Sequence, residues 1–207
     1  MRLVKQSFEI VESVDGMEIL RKIEAAGRTC YKSEAKITDS SAVEFVKRML
    51  ESGHHSVIEH HNITARVVTN RGVTHELVRH RLASYSQEST RYCNYGGGDV
   101  VFIRPVWWDS IDPIEQENFE NFLAGTQDVY QYFIDSGWKP QQAREVLPNA
   151  LKTEIVMTAN LREWRHIFNL RCSKAAHPQI RELMLDGLHQ FKNAIPVLFD
   201  DLVEKYL

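Results

Sequence analysis

Cysteine is scarce in this sequence, and its few copies lie far apart. Cys30, Cys93 and Cys172 are the only three cysteines in 207 residues, and none belongs to a CxxC pair. This spacing excludes a disulfide framework and a zinc ribbon as the basis of the fold. Unpaired cysteines are typical of a reducing compartment, so we expect a cytoplasmic protein.

Long apolar segments are missing as well. No run approaches the ~18 apolar residues that a membrane-spanning helix needs, and residues 1–6 lack the apolar core of a secretory signal. The net charge of −3 differs from the basic balance usual for general nucleic-acid binders, although it permits a local basic pocket. We therefore expect small-molecule partners, with no membrane and no nucleic acid.

The glycine-rich loops that usually bind nucleotides are also absent. The chain contains neither a GxxxxGK[ST] loop nor a GxGxxG turn between a strand and a helix. The run Gly96–Gly98 precedes a predicted strand, which is the wrong context for such a turn. Any bound nucleotide must therefore be held by side chains.

The composition present is that of a globular domain. Hydrophobic residues make up 43% and charged residues 26% of the chain, and 207 residues are enough to bury a sizeable core. No change of composition divides the chain, so we predict one domain over residues 1–207. The predicted fold class is α/β (α+β), helix-rich, with a central mixed or antiparallel sheet.

Hydrophobic periodicity and capping residues predict the individual elements. Strands are expected at residues 3–11, 62–69 and 100–103, and residues 153–158 fit either a strand or a helix start. Helices are expected from Asp15 to about Gly27, near 40–53, and at 73–81, 113–136, 160–171, 178–188 and 197–207. Ser56 and Glu59 have the spacing of a capping box.

One stretch, residues 79–91, carries an unusual set of polar side chains. It contains three arginines, one histidine and four serines or threonines, but no lysine. The planar guanidinium group matches phosphate and carboxylate geometry, and hydroxyl groups can add hydrogen bonds to the same oxygens. The pattern indicates a site for a phosphate-bearing ligand. The alternative is a capped helix end followed by a polar loop.

Metal and nucleophile motifs are weak. Although six of the nine histidines lie between His54 and His80, His75 and His80 are five residues apart, which places them roughly 140° apart on a helix. Arg79 would lie one turn from His75 and repel a cation, so we predict no metal. No serine lies in a GxSxG elbow, and isolated cysteines are more typical of packing than of catalysis.

A second set of arginines follows later in the chain. Arg165 fits a solvated helix face. For Arg171, at a predicted helix end, the sequence leaves a ligand contact and a solvated position equally open.

The order of residues 79–91 makes the comparison with known families specific. Arg79-His80-Arg81, Ser84, Ser89 and Arg91 fit the pattern RHRxxSxxxxSxR at every fixed position. This pattern resembles the signature of the flavin-dependent thymidylate synthases. Further segments resemble elements of the same family, namely His54-x-Ser56-x-x-Glu59-His60, Ala143-Arg144-x-Val146-Leu147-Pro148, Asn160-x-Arg162 and Asn169-Leu170-Arg171.

The resemblance implies an activity and an assembly. Such an enzyme makes dTMP from dUMP without a protein nucleophile, taking the carbon from methylenetetrahydrofolate and the hydride from FAD that NADPH has reduced. It forms a homotetramer with active sites between subunits. The other class of function that the same arginines would suit is a nonenzymatic RNA- or nucleotide-binding protein.

The resemblance also implies residue roles. It assigns dUMP contacts to Glu76, Arg79, Gln87, Glu88, Ser89, Thr90, Arg91, Arg144 and Arg171. It assigns flavin contacts to Ser56, Glu59, Arg79, His80, Arg81, Gln87, Asn160, Arg162 and His166. The catalytic roles fall to Arg171, at the edge of the uracil, and to His54, near the flavin ring.

Three positions depart from the family pattern. Glu76 stands where glutamine is frequent, His166 stands where asparagine is common, and Gln87-Glu88 reverses the usual order of acid and amide. Each departure bears on a single contact and not on the resemblance as a whole.

Overall fold

The computed structural model describes residues 1–207 and contains eight α-helices and six strands. The helices are α1 (Gly16–Thr29), α2 (Ser41–Glu51), α3 (Arg71–Leu77), α4 (Pro113–Asp135), α5 (Pro140–Ala143), α6 (Leu161–Arg171), α7 (Pro178–Ala194) and α8 (Pro196–Tyr206). The strands are β1 (Arg2–Val4), β2 (Ser7–Ile10), β3 (Asn62–Asn70), β4 (Ala83–Gln87), β5 (Val101–Ile103) and β6 (Lys152–Asn160). None of the helices combines the length and the apolar character that a membrane crossing demands.

The strands form two sheets. Strands β1 and β5 pair in parallel, with Leu3 opposite Phe102. The other four strands form a sheet in the order β2-β3-β6-β4. The predicted class, a helix-rich α/β fold, is therefore confirmed.

The chain forms two compact units. The first comprises Met1–Ser7, Val67–Arg79 and Ser86–Val156, and the second comprises Phe8–Arg66, His80–Tyr85 and Met157–Leu207. All four strands of the larger sheet, β2, β3, β4 and β6, contribute residues to both units.

The first unit is built on a small apolar cluster. Val100, Phe102, Leu123 and Leu151 are fully buried together, with partly buried residues such as Leu3 packed against them. This cluster joins strand β5 to helix α4.

The second unit is built on aromatic rings. Trp164 of α6 lies with its ring centroid 5.9 Å from Phe8 and 4.9 Å from Phe191. Its indole nitrogen donates to the carbonyl oxygen of Ile63, at 2.9 Å, which satisfies its polar atom inside the core. Helix α6 is thereby anchored to strand β3 within this unit.

Several predicted elements are confirmed, and the capping residues explain where they begin. Asp15 accepts a hydrogen bond from the backbone N–H of Glu18 and starts α1. Asp112 forms a capping box with Glu115 at the start of α4. The segment 153–158, which the sequence left open, lies in strand β6.

Other element predictions are wrong. The single strand expected over residues 3–11 is two short strands in different sheets. Ser56 and Glu59 form no capping box, because His55–His60 is a 3₁₀ helix without a side-chain cap. The helix expected at 73–81 begins earlier, at Arg71, and ends at Leu77.

Two helical glycines are predicted to respond oppositely to alanine. A Cβ at Gly187 of α7 would lie 2.9 Å from the Phe8 ring, whereas a Cβ at Gly125 of α4 would meet nothing within 4 Å. We expect Gly187→Ala to lower the free energy of unfolding by about 1–3 kcal/mol through overpacking. Gly125→Ala should raise it by up to about 1 kcal/mol through helix propensity. Urea unfolding of both variants measures this, and equal changes in the two would contradict the packing described.

Candidate active site

In the first unit, strand β3 passes directly into helix α3. Asn70 ends the strand, and its side-chain oxygen accepts from the backbone N–H of Val73 at 2.8 Å. This N-cap lets the helix begin without an intervening loop. The helix places Glu76, half-buried, in its last turn, and the exposed Arg79 follows its end.

The middle of the 79–91 stretch is a strand and not the predicted loop. In β4, Ser84 and Ser86 are exposed, whereas Tyr85 and Gln87 on the opposite face are half-buried. The Gln87 side-chain nitrogen donates to the hydroxyl oxygens of Thr74, at 2.9 Å, and Thr153, at 3.2 Å. These bonds occupy both of its amide hydrogens, so a ligand could use only the carbonyl oxygen of Gln87.

The carboxylate of Glu88 belongs to a polar network that the sequence did not indicate. It accepts from the Tyr95 hydroxyl at 2.7 Å and from the Lys152 ammonium at 3.1 Å. Lys152 also donates to Glu154 at 2.6 Å. Lys152 therefore offsets part of the negative charge of Glu88, although it shares this charge with Glu154. The only available signal in the sequence was Lys152 two residues before Glu154, as alternate residues of a strand share a face.

This network changes the pKa values of its members. Burial, followed by the hydrogen bond to Glu88, raises the pKa of Tyr95. Burial alone lowers the pKa of Lys152, but its hydrogen bonds to Glu154 and Glu88 outweigh burial and leave that pKa raised. Lys152 therefore stays charged and Tyr95 stays a hydrogen-bond donor across the neutral range.

Residues 89–91 form a tight turn. The backbone N–H of Cys93 donates to the Ser89 carbonyl at 2.9 Å, and that of Arg91 donates to the Ser89 hydroxyl at 3.3 Å. The buried Thr90 hydroxyl accepts from Arg144 at 3.2 Å. The fold thus brings together Thr90 and Arg144, two predicted dUMP contacts that are 54 residues apart.

Two further arginines lie in this unit. Arg91 is exposed, with its guanidinium carbon 5.4 Å from the centre of the Tyr92 ring. Arg71, which the sequence did not single out, has a buried Nη1 without a hydrogen-bond partner in the chain. A buried donor without a partner is costly, and an anion would satisfy it.

In the second unit, strand β6 passes into helix α6 by the same device. Asn160 ends the strand, and its side-chain oxygen accepts from the backbone N–H of Glu163 at 2.9 Å. Because the oxygen caps the helix, the amide hydrogens of Asn160 are the groups that a ligand could use. Arg162, in the first turn of the helix, forms an ion pair with Glu59 at 2.6 Å.

Two pockets adjoin this ion pair. One, of about 470 Å³, is lined by Glu59, Leu82, Asn160, Arg162, Glu163 and His166. The other, of about 420 Å³, is lined by residues that include His54, Ser56 and Arg162. Arg162 borders both pockets, so the fold gathers His54 with the predicted flavin contacts Ser56, Glu59, Asn160, Arg162 and His166.

His80 and Arg171 meet inside the second unit. The Arg171 Nε donates to His80 Nε2 at 3.0 Å, and the Tyr85 hydroxyl donates to the His80 carbonyl at 2.7 Å. Burial, with smaller contributions from the charges of Arg171 and His166, lowers the pKa of His80 to about 4. Arg171 therefore has a specific contact within this unit, and the ligand contact predicted for it stays a prediction. Arg81, the next residue after His80, is exposed.

His80, Glu163 and His166 have ligand atoms within 4.8 Å of one another, a spacing that could hold a metal ion. The chemistry of this set opposes a cation, however. Because His80 Nε2 accepts from Arg171, the ring proton of a neutral His80 lies on Nδ1, the nitrogen that faces Glu163. The Arg171 guanidinium also places a positive charge against the same ring.

The structure shows the surroundings of Arg165 and Cys172, for which the sequence predicted a solvated position and a packing role. The prediction of a solvated Arg165 is wrong, because Arg165 is buried and makes two hydrogen bonds to the carboxylate of Asp201, at 2.8 and 2.6 Å. Cys172 is fully buried, as expected of a packing residue, and burial raises the pKa of its thiol to about 12. Such a thiol is not ionised near neutral pH and is a poor nucleophile.

Comparison with known protein families places the chain among related sequences. A family described as "Thymidylate synthase complementing protein" matches residues 12–197. The flavin-dependent thymidylate synthase of Geobacter sulfurreducens is 36% identical over 185 residues, which cover 85% of this chain and 78% of the relative. That of Corynebacterium glutamicum is 34% identical over 206 residues, which cover 91% and 80%.

Solved structures share the fold. A UMP/dUMP methylase, PolB from Streptomyces cacaoi, bound with 5-Br dUMP, superposes with a TM-score of 0.80 at 22% identity, covering 99% of this chain and 97% of the other. The same protein bound with 5-Br UMP gives a TM-score of 0.78 at 20% identity, covering 97% and 95%.

The lowered pKa of His80 predicts how stability depends on pH. Below pH 6.5 the unfolded chain protonates this histidine, whereas the folded chain resists protonation down to about pH 4. Its neutral state therefore costs stability as the pH falls through this window, by up to about 3 kcal/mol. We expect His80→Gln, which keeps a polar group near the Nε2 position, to remove this part of the pH dependence. Urea unfolding at pH 7 and pH 4.5 tests it, and identical pH dependence in both proteins would contradict it.

Proposed function

The chain belongs to the flavin-dependent thymidylate synthase family, and from this premise we propose that it catalyses the reductive methylation of dUMP to dTMP. In this proposal methylenetetrahydrofolate supplies the carbon, and FAD reduced by NADPH supplies the hydride. The observation that carries the proposal is the arrangement of the RHRxxSxxxxSxR motif, which supplies a tight turn beside Arg144 and a buried His80 bonded to Arg171. Because the relatives are named as synthases, the nonenzymatic alternative is set aside.

The turn after β4 is the proposed phosphate site. This turn combines the backbone N–H groups and hydroxyls of residues 89–91 with the exposed guanidinium group of Arg91. The guanidinium group of Arg144 donates to the Thr90 hydroxyl at 3.2 Å. This donor set suits a dianionic phosphate. The buried Nη1 of Arg71 is a further donor in the same unit that lacks a partner. Lys152, which Glu88 shares with Glu154, offsets part of the repulsion between Glu88 and the phosphate.

Arg79, Glu76 and Gln87 complete the proposed nucleotide contacts. Arg79 is exposed and offers its full guanidinium group. Glu76 and Gln87 are half-buried, so we assign them to the sugar and not to the phosphate.

The pockets that share Arg162 are the proposed flavin site. FAD carries two phosphates and an extended set of acceptors, and Arg162, the Asn160 amide, Ser56 and His166 provide matching donors. Arg79, His80 and Arg81 are proposed to contribute from the motif itself. When bound, FAD supplies the redox chemistry.

Arg171 is the proposed electrostatic catalyst. As C5 of uracil becomes nucleophilic, negative charge develops on the ring oxygens and N3, and a fixed guanidinium group stabilises that charge. His54, at the rim of a flavin pocket, is proposed to lie near the flavin ring. A protein nucleophile is not required, in keeping with the raised pKa of the Cys172 thiol.

The assembly is part of the proposal. We propose that residues 1–207 act as one catalytic domain in a cytoplasmic homotetramer, with active sites at the subunit interfaces.

Flavin binding, the flavin spectrum and dTMP formation test the proposed function. Purified protein should be yellow or take up added FAD, and dUMP should perturb the visible flavin spectrum. With NADPH and methylenetetrahydrofolate, dUMP should be converted to dTMP, measured by chromatography. UMP, run in parallel, shows whether the enzyme requires the deoxyribose. A protein that takes up no FAD, or that binds FAD but never forms dTMP, would contradict the proposal.

Arg91 provides a test of the phosphate site. We expect Arg91→Ala to weaken dUMP binding about tenfold to a hundredfold, because a charge-assisted hydrogen bond to phosphate is worth about 1.5–3 kcal/mol. FAD binding should change little. Arg21→Ala, which removes an exposed arginine from α1, is the matched control. Equal weakening of dUMP and FAD binding in Arg91→Ala would remove Arg91 from the phosphate site.

A further inference from the structure

The hydrogen bond between Arg171 and His80 can form with only one tautomer of the histidine ring. Arg171 Nε is always a donor, and it lies 3.0 Å from His80 Nε2. Nε2 must therefore present its lone pair, and the single proton of a neutral ring must lie on Nδ1. A proton on Nε2 would set two N–H groups against each other and release Arg171.

Glu163 is the group that favours this tautomer. Its carboxylate Oε1 lies 3.7 Å from His80 Nδ1, and both side chains are buried, with 8% and 4% exposure. The distance is too long for a hydrogen bond, so the interaction is that of a charge with an N–H dipole in a poorly solvated site. Glu163 is not among the residues to which the family resemblance gives a role.

Apart from Arg171 and Glu163, the groups around His80 do not favour one tautomer of its ring over the other. The Tyr85 hydroxyl is committed to the His80 carbonyl, at 2.7 Å. The His166 ring meets the His80 ring edge-on, with centroids 5.9 Å apart. The remaining charges of the adjoining pocket, Glu59 and Arg162, neutralise each other at 2.6 Å. Burial raises the pKa of Glu163, while the charge of His166 lowers it.

We propose that Glu163 is a positioning residue for Arg171 and acts through His80. Its carboxylate holds the ring proton on Nδ1, so that the Nε2 lone pair can hold the Nε–H of Arg171. Because the guanidinium group is planar, fixing its Nε–H direction restricts the plane in which its other four N–H bonds lie. The role of Arg171 at the uracil rests on the proposed function; the tautomer of His80 does not.

The proposal is tested first by the tautomer of His80. Solid-state ¹⁵N spectra of histidine-labelled holoenzyme distinguish the two tautomers, and His80→Gln identifies the His80 signals by their loss. We expect the Nδ1–H tautomer in the wild type and a large shift of population to Nε2–H in Glu163→Leu. Glu163→Gln keeps the side-chain volume but removes the charge, so it should also shift population towards Nε2–H, and it covers the case in which Glu163→Leu fails to fold.

The second readout is ligand affinity, measured from the flavin spectrum. Glu163→Leu should weaken dUMP binding about tenfold, the typical value of one ordered hydrogen bond, with FAD binding changed less than about twofold. In an Arg171→Lys background, which lacks Nε–H, Glu163→Leu should have no further effect on dUMP binding. Glu51→Gln is the matched control, because it removes an exposed carboxylate from the end of α2, in the same unit but outside the proposed site, so it should leave the tautomer and dUMP affinity unchanged.

Three results would overturn the inference. They are an unchanged tautomer in Glu163→Leu, parallel loss of dUMP and FAD affinity, and additive effects of Glu163→Leu and Arg171→Lys. A failure of the proposed function would give a different result. The wild type would then show no response to dUMP, and the tautomer measurement would still test the role of Glu163.

Discussion

Two asparagine caps set the positions of the functional side chains. Each nine-residue strand, β3 and β6, ends in an asparagine whose side-chain oxygen caps the helix that begins at the next residue. With no loop between strand and helix, the direction of the strand determines where the helix starts. Asn70 leads through α3 to Arg79, and Asn160 places Arg162, Glu163 and the rest of α6.

Some arginines of the chain are paired with carboxylates, whereas others are exposed. Arg162 and Arg165 are matched with Glu59 and Asp201, which holds α6 in a defined orientation. Arg79, Arg81 and Arg91, all from the motif, have exposed side chains. Exposed guanidinium groups close together in sequence repel one another modestly in the absence of an anion. This distribution of charge supports a reading of the motif as a ligand-binding segment and not as a structural one.

Sequence patterns predicted the structure well wherever the determining interactions are local. The cap at Asp15 and the span of α4 were predicted because capping and helical periodicity involve residues three or four apart. The 3₁₀ helix at His55–His60 and strand β4 were not, since Ser56–Glu59 matches a capping motif by spacing alone and β4 depends on pairing with β6. A solvated face was assigned to Arg165 because its partner Asp201 is 36 residues away.

The sequence by itself determined the family and the chemical types in the site, because the RHRxxSxxxxSxR spacing is a covalent property of the chain. It also limited how a nucleotide could be held, since missing glycine loops leave this task to side-chain donors. Only the tertiary structure decided which hydrogen-bonding groups are occupied: the Gln87 amide donates to two threonines, Glu88 accepts from Lys152 and Tyr95, and His80 accepts from Arg171. These pairings join residues from 7 to 91 positions apart, and burial gives them their strength. No local pattern encodes either the partner or the solvent exclusion.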